Sequence, residues 1–157
     1  MSAEARLEAH LAATGLVLPP PPQPIGNYVP FRIGGGLLFL SGIGPRHPDG
    51  SSTIGSVGRE LTVEQGYRAA QQCGLNLLVN MRLALGSLDR VDTVLKLLGM
   101  VNAVPGFTEH PKVINGCSDL FVAVFGDAGR AARSAVGMAS LPNNISVEIE
   151  GVVLIRG

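Results

Sequence analysis

The pattern of apolar side chains in the first half of the chain is typical of a β-hairpin followed by a long helix. The segments YVPFRI and LLFLSGIG flank a turn of three glycines, residues 34–36, and predict two antiparallel strands. A further short strand is predicted near residues 54–57. These strands form the first part of the predicted sheet.

A helix with a single apolar stripe is predicted after the hairpin. Thr62 and Gln65 have the spacing of a capping box, which marks the start of a helix, and Gly86 is typical of a helix end. Between them, apolar positions recur with a period of about 3.6 residues. They are Tyr67, Ala70, Gly74, Leu77, Leu78, Met81 and Leu85.

The second half of the chain predicts a strand, a helix and two more strands. Residues 89–104 carry Val and Leu on both faces, which favours a central strand, and Gly99 weakens the alternative of a helix. The later elements are expected as a helix from Thr108 or Val113 to Phe125 and strands at 133–140 and 146–156. The order ββ(β)αβαββ predicts an α+β fold, with two helices on one face of a single sheet.

The N-terminal residues are predicted to form an arm outside the main domain. Residues 3–14 can form a short helix with Leu7 on its apolar face, and Pro19 to Pro22 cannot continue that helix. We therefore divide the chain into an arm, residues 1–23, and a domain, residues 24–157. The arm is either a partly ordered tail or a cover for a partner surface.

Composition favours a cytoplasmic protein that associates with other subunits. Of the 157 residues, 46% are hydrophobic and only 15% charged, which suggests that another subunit covers part of the surface. Twelve basic residues balance twelve acidic ones, so no basic field attracts nucleic acid or anionic lipid. No apolar segment approaches the length of a membrane span, and the first residues do not resemble a secretory signal. Cys73 and Cys117 are expected to be reduced thiols.

No cofactor or metal is expected from the motifs. The three histidines, His10, His47 and His110, lack metal-ligand spacing, and neither cysteine belongs to a CxxC motif. The three glycines at 34–36 join two strands and are not followed by Gly-Lys-Ser/Thr, so they do not form a phosphate loop.

Arg133 begins a strand in which the side chains on its own face are small. Alternation places Ala135, Gly137 and Ala139 on that face. Small neighbours leave space beside a guanidinium, which fits a planar carboxylate, so one interpretation is a pocket for a small carboxylic acid. The other is an edge arginine paired with Glu148 or Glu150, and the pattern alone favours it.

Glu148 lies in the last strand, on the face opposite the buried residues. A carboxylate there could orient a water molecule or move a proton, or simply face solvent. A simple hairpin centred near Asn143 would put Glu148 about 17 Å along the strand from the level of Arg133. If the two residues cooperate, we expect them to meet across a subunit boundary.

Three weaker candidates lie at turns or at element ends. Tyr28 follows Gly26-Asn27, Ser41 and Gly42 end the second predicted strand, and Asn115 precedes a glycine at the start of a helix. Backbone N–H groups at such places can face a ligand or can merely cap a turn. The cap or turn interpretation is the more common one.

Taken together, these residues resemble the YjgF/YER057c/UK114 family, also called the Rid or reactive intermediate deaminase family. The most specific part is Arg133-Ser134-Ala135-Val136, then Leu141-Pro142, then Val147-Glu148-Ile149-Glu150. Earlier matches occur in the family's order. They are Ile25-Gly26-Asn27-Tyr28, Leu40-Ser41-Gly42, Leu88-Asp89-Arg90-Val91 and Val113-Ile114-Asn115.

The resemblance implies a chorismate-mutase-like fold with a mixed sheet, a homotrimer with clefts between subunits, and no cofactor. In active members a cleft arginine binds the carboxylate of a 2-imino or 2-enamino acid such as 2-aminoacrylate, and water hydrolyses it to a 2-keto acid and ammonia. Arg133 matches that arginine and Glu148 the glutamate that positions water. The matched substrate-binding positions are Tyr28, Ser41, Gly42, Asn115 and Ala135.

The chain also departs from the family pattern. Ala135 stands where many members carry cysteine, and Ile114 where an aromatic residue is common, so the pocket wall is expected to differ. The N-terminal arm indicates a longer subgroup. Two alternatives to deamination stay open: binding of a keto acid without turnover, in a chaperone-like role, and the endoribonuclease activity with which some members are labelled.

Overall fold

A computed structural model describes residues 1–23 and 25–157. Three α-helices and five β-strands form the described structure, with short 3-10 turns between some of them. The elements are α1 Ala3–Thr14, β1 Phe31–Gly34, β2 Leu37–Ile43, α2 Val63–Leu85, β3 Val91–Asn102, α3 His110–Phe125, β4 Ala132–Met138 and β5 Val147–Ile155. The predicted α+β class is confirmed.

The five strands form one mixed sheet in the order β1-β2-β5-β3-β4. All neighbouring pairs are antiparallel except β3 and β4, which run parallel. Helix α3 connects these two strands, because parallel neighbours need a crossover that returns the chain to the starting end. The crossover places β4 at the edge of the sheet and β3 next to it.

The predicted pairing of β4 with β5 around Asn143 is wrong. The chain does turn there, since Asn143 and Asn144 both adopt positive φ, at 54° and 57°. Strand β5 nevertheless pairs with the opposite side of β3, where Glu148 lies beside Met100. Strand β3 therefore lies between β4 and β5, and those two strands do not pair with each other.

Helices α2 and α3 pack closely against each other and cover one face of the sheet. Gly116 of α3 makes this approach possible, because a Cβ atom there would lie 1.9 Å from the Tyr67 carbonyl oxygen. The predicted start of α2 is confirmed: Gln65 N–H donates to Thr62 Oγ1 and Thr62 N–H donates to Gln65 Oε1. Gly86 ends the helix with φ 80°.

The predicted helix of the N-terminal arm is confirmed and packs on the domain. Leu7 is fully buried in the common core. Glu4 forms an ion pair with Arg82 of α2, and its carboxylate accepts a hydrogen bond from the Leu88 N–H at 2.8 Å. The arm helix therefore packs with the domain as a third helix, beside the two that were predicted on the sheet.

Other boundaries shift by a few residues. Residues 54–57 form isolated bridges and not a strand, since Ile54 pairs only with Ile145. Strand β3 begins at Val91 because residues 88–90 form a 3-10 turn capped by Ser87. Across residues 1–23 and 25–157, no helix has the length and apolarity to span a bilayer.

We predict that Gly116→Ala strongly destabilises the fold. The added methyl group would meet backbone of α2, which cannot move aside as a flexible side chain can, so the two helices must separate. We expect a loss of about 3 kcal/mol or more in the free energy of unfolding, measured by urea denaturation. Lys112→Ala on the same helix is the control, because it removes only an exposed ion pair. Equal unfolding midpoints for the two variants would contradict the prediction.

Candidate functional site

The Arg133 side chain is held against α3 by three uncharged acceptors. Its Nη1 donates to Ser118 Oγ at 2.9 Å, and its Nη2 donates to Asn115 Oδ1 at 2.8 Å and to the Pro111 carbonyl oxygen at 3.3 Å. Arg133 pairs in register with Leu97, whose side chain is buried under the helices. The guanidinium therefore lies on the helix side of the sheet, at its β4 edge.

The positive charge of Arg133 is not neutralised within the described chain. Within residues 1–23 and 25–157, no carboxylate oxygen lies within 4.0 Å of the guanidinium. The interpretation that pairs Arg133 with Glu148 or Glu150 is therefore wrong. A guanidinium has five N–H donors, and the three bonds to α3 leave donors for an anion.

Ala135 and Gly137 share the face of β4 with Arg133, as predicted, but a histidine fills part of the space above them. A Cβ atom on Gly137 would lie 2.6 Å from His110 Nε2. The His110 ring packs edge-on against Phe107, with the ring centroids 4.9 Å apart. The one sign of this contact in the sequence is Gly137, which follows Ala135 on the same face of the strand.

A second group of predicted residues surrounds Glu148 on the other face of the sheet. Val147 and Ile149 are fully buried on the helix side, so Glu148 points away from the helices. Gly42 passes close to it, since a Cβ atom there would lie 2.7 Å from Glu148 Oε2. Ser41 fixes the neighbouring backbone, because its hydroxyl donates to the Val29 carbonyl oxygen at 2.6 Å.

These residues line a cleft of about 610 Å³. Tyr28, Ser41, Gly42 and Glu148 all contribute to its wall. Two residues that sequence reasoning missed, Arg46 and Asn80, also line it. Asn80 could have been noticed as a polar residue within the apolar stretch of α2, one turn after the buried Asn76.

The environment of Glu148 favours its protonated form. Partial burial raises the pKa of the Glu148 carboxyl above its ordinary value of 4.5, and the neighbouring charge of Glu150 raises it further. A carboxylate with a raised pKa is a better proton acceptor at neutral pH. Glu148 therefore has the electrostatic setting of a general base.

Neither cysteine provides a nucleophile. Cys73 and Cys117 are free and buried. Burial raises the pKa of both thiols, which keeps them protonated and unreactive. Ala135 carries no thiol where a cysteine would reach the Arg133 cluster, so the chemistry of the site depends on the arginine, the carboxylate and water.

The seven predicted site residues thus fall into two separate clusters. The Arg133 cluster holds Asn115 and Ala135, and the Glu148 cluster holds Tyr28, Ser41 and Gly42. Arg133 lies at the level of Leu97 and Glu148 at the level of Met100, with β3 between them. Two strand spacings and three residues separate their backbones by about 14 Å, and the side chains point to opposite faces. One chain does not bring the two clusters together.

Comparison with known proteins gives consistent matches over nearly the whole chain. A family described as YjgF/chorismate mutase-like, putative endoribonuclease, matches residues 8–150. Protein TCP17 of Trypanosoma cruzi is 43% identical over 152 residues, covering 96% of this chain and 95% of that protein.

Two solved structures illustrate the range of similarity. The protein Atu1372 from Agrobacterium tumefaciens has 44% identity and a TM-score of 0.90, covering 99% of this chain and 96% of that one. RidA from the Antarctic bacterium Psychrobacter sp. PAMC 21119 has 26% identity and a TM-score of 0.61, covering 86% and 94%. The chain therefore resembles Atu1372 far more closely than it resembles RidA.

We predict that Glu148→Gln stabilises the fold at neutral pH. Because the folded-state pKa of Glu148 is raised, its contribution to stability is full below pH 4.5 and is lost as the pH rises through the raised value. The neutral amide avoids that loss, so we expect the melting temperature to rise by about 1–3 °C at pH 7. The difference should disappear near pH 4.

The matched control is Glu8→Gln, which removes an exposed carboxylate on α1. Thermal unfolding of both variants and the unmodified protein, followed by circular dichroism between pH 4 and 8, measures the effect. A Glu148→Gln variant that is less stable at pH 7 than at pH 4, each relative to the unmodified protein, would contradict the prediction.

Proposed function

Because the chain belongs to the YjgF/chorismate mutase-like family, we propose that it hydrolyses small reactive 2-imino and 2-enamino acids, such as 2-aminoacrylate, to 2-keto acids and ammonia. The site would lie in a cleft between copies of the chain in a homotrimer. The observation that carries this proposal is the Arg133 guanidinium, which is fixed by neutral acceptors and has no carboxylate partner among the residues that the structure describes. The name RidA of one related structure supports the same chemistry.

The separation of the two clusters supports a site between subunits. In a rotationally symmetric assembly with a heterologous interface, the β4 edge of one chain can face the Glu148 cleft of the next. The sheet face away from the helices supports such contacts, because it exposes large apolar side chains, among them Phe39 at 46% and Val136 at 39%. A hollow of about 710 Å³ also runs along this face.

The reaction asks for positioning and for proton transfer. Arg133 would bind the substrate carboxylate through its remaining N–H donors, which fixes the imine carbon beside the cleft. An enamine first becomes an imine by gaining a proton at its terminal carbon and losing one from its nitrogen. Water then attacks the imine carbon while Glu148 accepts one of its protons, which gives a carbinolamine. The C–N bond breaks as the nitrogen is protonated, and the hydroxyl group becomes the keto oxygen as ammonia leaves.

Ribonuclease activity is a second candidate, because the matched family carries that description. The chain has zero formal net charge, so it offers little electrostatic attraction for a phosphate backbone. Deamination makes better use of a single fixed cation and a carboxylate with a raised pKa. Salt-dependent binding and cleavage of single-stranded RNA by a nuclease-free preparation would favour the second candidate.

We predict that two inactive variants restore activity when mixed. Arg133→Ala removes the carboxylate clamp and Glu148→Gln removes the base, so each alone should lose about 100-fold in turnover of 2-aminoacrylate made by a dehydratase. When equal amounts are refolded together, about a quarter of the sites should combine an intact arginine with an intact carboxylate from different chains. Ammonia release measures the recovery.

The control is each variant refolded alone under the same conditions. A mixture no more active than the sum of the two would show that the clusters do not act across chains. A strictly monomeric mass in solution would contradict the intersubunit cleft directly. If Arg133→Ala hydrolyses 2-aminoacrylate as fast as the unmodified protein, the role assigned to Arg133 is wrong.

We also predict that Gly42→Ala lowers activity without unfolding the protein. The methyl group would lie 2.7 Å from Glu148 Oε2 and would push the carboxylate from its position. A displacement of about 1 Å can reduce turnover by up to 100-fold. Gly34→Ala, in the same hairpin, is the matched control, because no atom lies within 4 Å of a Cβ atom there. Equal ammonia release by the two variants would contradict this arrangement.

A further inference from the structure

We propose that His110 is a catalytic acid of this site, which delivers a proton to the substrate nitrogen. The inference rests on the proposed deamination, in which Glu148 accepts a proton and the nitrogen must receive one. A carboxylate that has just taken a proton from water does not by itself supply the other. An imidazole is suited to this work because its ordinary pKa lies near 6.5.

The position of His110 follows from contacts on two sides. Its neighbour Pro111 provides the carbonyl oxygen that accepts from Arg133 Nη2 at 3.3 Å, so the guanidinium lies next to the start of α3. On the other side, His110 Nε2 lies over Gly137, 2.6 Å from where a Cβ atom would be. Arg133 and His110 therefore occupy the same face of β4.

Ala135 lies between these two groups. Residues on one face of a strand repeat every two positions, so Arg133, Ala135 and Gly137 follow each other at intervals of about 7 Å. The methyl side chain of Ala135 is small, so it takes up little of the space between the guanidinium and the imidazole. A substrate whose carboxylate binds Arg133 would lie over Ala135 and extend its nitrogen towards His110.

Packing positions the His110 imidazole, and its ring nitrogens are available for a hydrogen bond to substrate. The Phe107 ring meets it edge-on at 4.9 Å, and Gly137 allows it to lie against the strand. In the part of the chain that the structure describes, no side-chain hydrogen bond engages its ring nitrogens. The charged groups nearest to it along the elements that pack there are Arg133 of β4 and the Glu109–Lys112 ion pair of its own helix.

The proton balance closes with these two residues. In the attack, the water oxygen bonds to the imine carbon, Glu148 takes one proton of the water, and the His110 imidazolium gives its proton to the nitrogen. In the collapse, protonated Glu148 gives its proton to the amine and the C–N bond breaks with its electron pair leaving on ammonia. The hydroxyl proton passes to neutral His110 as the keto group forms, which restores both residues.

Two variants test this role in different ways. His110→Gln removes the titrating ring, whereas Gly137→Ala keeps the ring but places a methyl group 2.6 Å from its Nε2. We expect both to lower kcat for 2-aminoacrylate by about 10- to 100-fold with little change in KM, because the carboxylate clamp is intact. Free imidazole should partly rescue His110→Gln and should not rescue Gly137→Ala, whose site is still filled.

The pH dependence distinguishes catalysis from a structural effect. After subtraction of spontaneous hydrolysis, kcat of the unmodified protein should fall as the pH rises through the pKa of the imidazolium, and that limb should be absent in His110→Gln. His47→Gln removes an imidazole from a different loop and Gly34→Ala adds a methyl group in open space, so they are the matched controls. Circular dichroism and solution mass establish that every variant is folded and assembled.

Each outcome decides between the proposals. If the unmodified protein and Gly34→Ala accelerate hydrolysis and His110→Gln keeps both the rate and the pH limb, His110 is not the acid and deamination still stands. If none of the proteins accelerates hydrolysis, the proposed function itself fails. Loss of rate with an unchanged pH limb and no rescue by imidazole would assign His110 a structural role and overturn the inference.

Discussion

The guanidinium of Arg133 keeps its full charge because every group that holds it is neutral: a serine hydroxyl, an asparagine amide oxygen and a backbone carbonyl oxygen. A carboxylate in place of the serine or asparagine side chain would have fixed the arginine equally well and cancelled its charge. The position of α3 therefore decides the electrostatics of the β4 edge. That position in turn depends on Gly116, the residue that lets α3 approach the backbone of α2. The close approach of the helices and the free cation are parts of one arrangement.

Much of the fold follows from local patterns. The capping box at Thr62, the stop at Gly86 and the alternation around Arg133 each depend on neighbours within a few residues, and the structure confirms them. The pairing of β4 with β5 was wrong because strand pairing is not a local property. A tight turn at Asn143 is compatible both with a hairpin and with a chain that crosses to another strand. The crossover through α3 pairs β4 with β3 and so excludes the hairpin. No local sequence pattern predicts that crossover.

The candidate residues can be named from the sequence, but their arrangement in two separate clusters cannot. Arg133 and Asn115 meet through a hydrogen bond, and Gly42 lies where any side chain would collide with the Glu148 carboxylate. The contact of His110 with Gly137 joins residues that are distant in sequence. Its only sign in the sequence is the glycine, which has no side chain. The sequence indicated which chemical groups the chain offers, and the topology determined which of them share a face.

The Glu148 environment is consistent with the proposed placement of the two clusters on different chains. Partial burial and the charge of Glu150 raise the pKa of Glu148, which makes it reactive but costs the folded chain stability at neutral pH. A fixed arginine beside it in the same chain would lower that pKa and remove much of its basicity. Separation by a strand and by the thickness of the sheet avoids this. In the proposed site, a substrate bound between chains would meet both groups, and its own carboxylate would offset the arginine charge while the base acts.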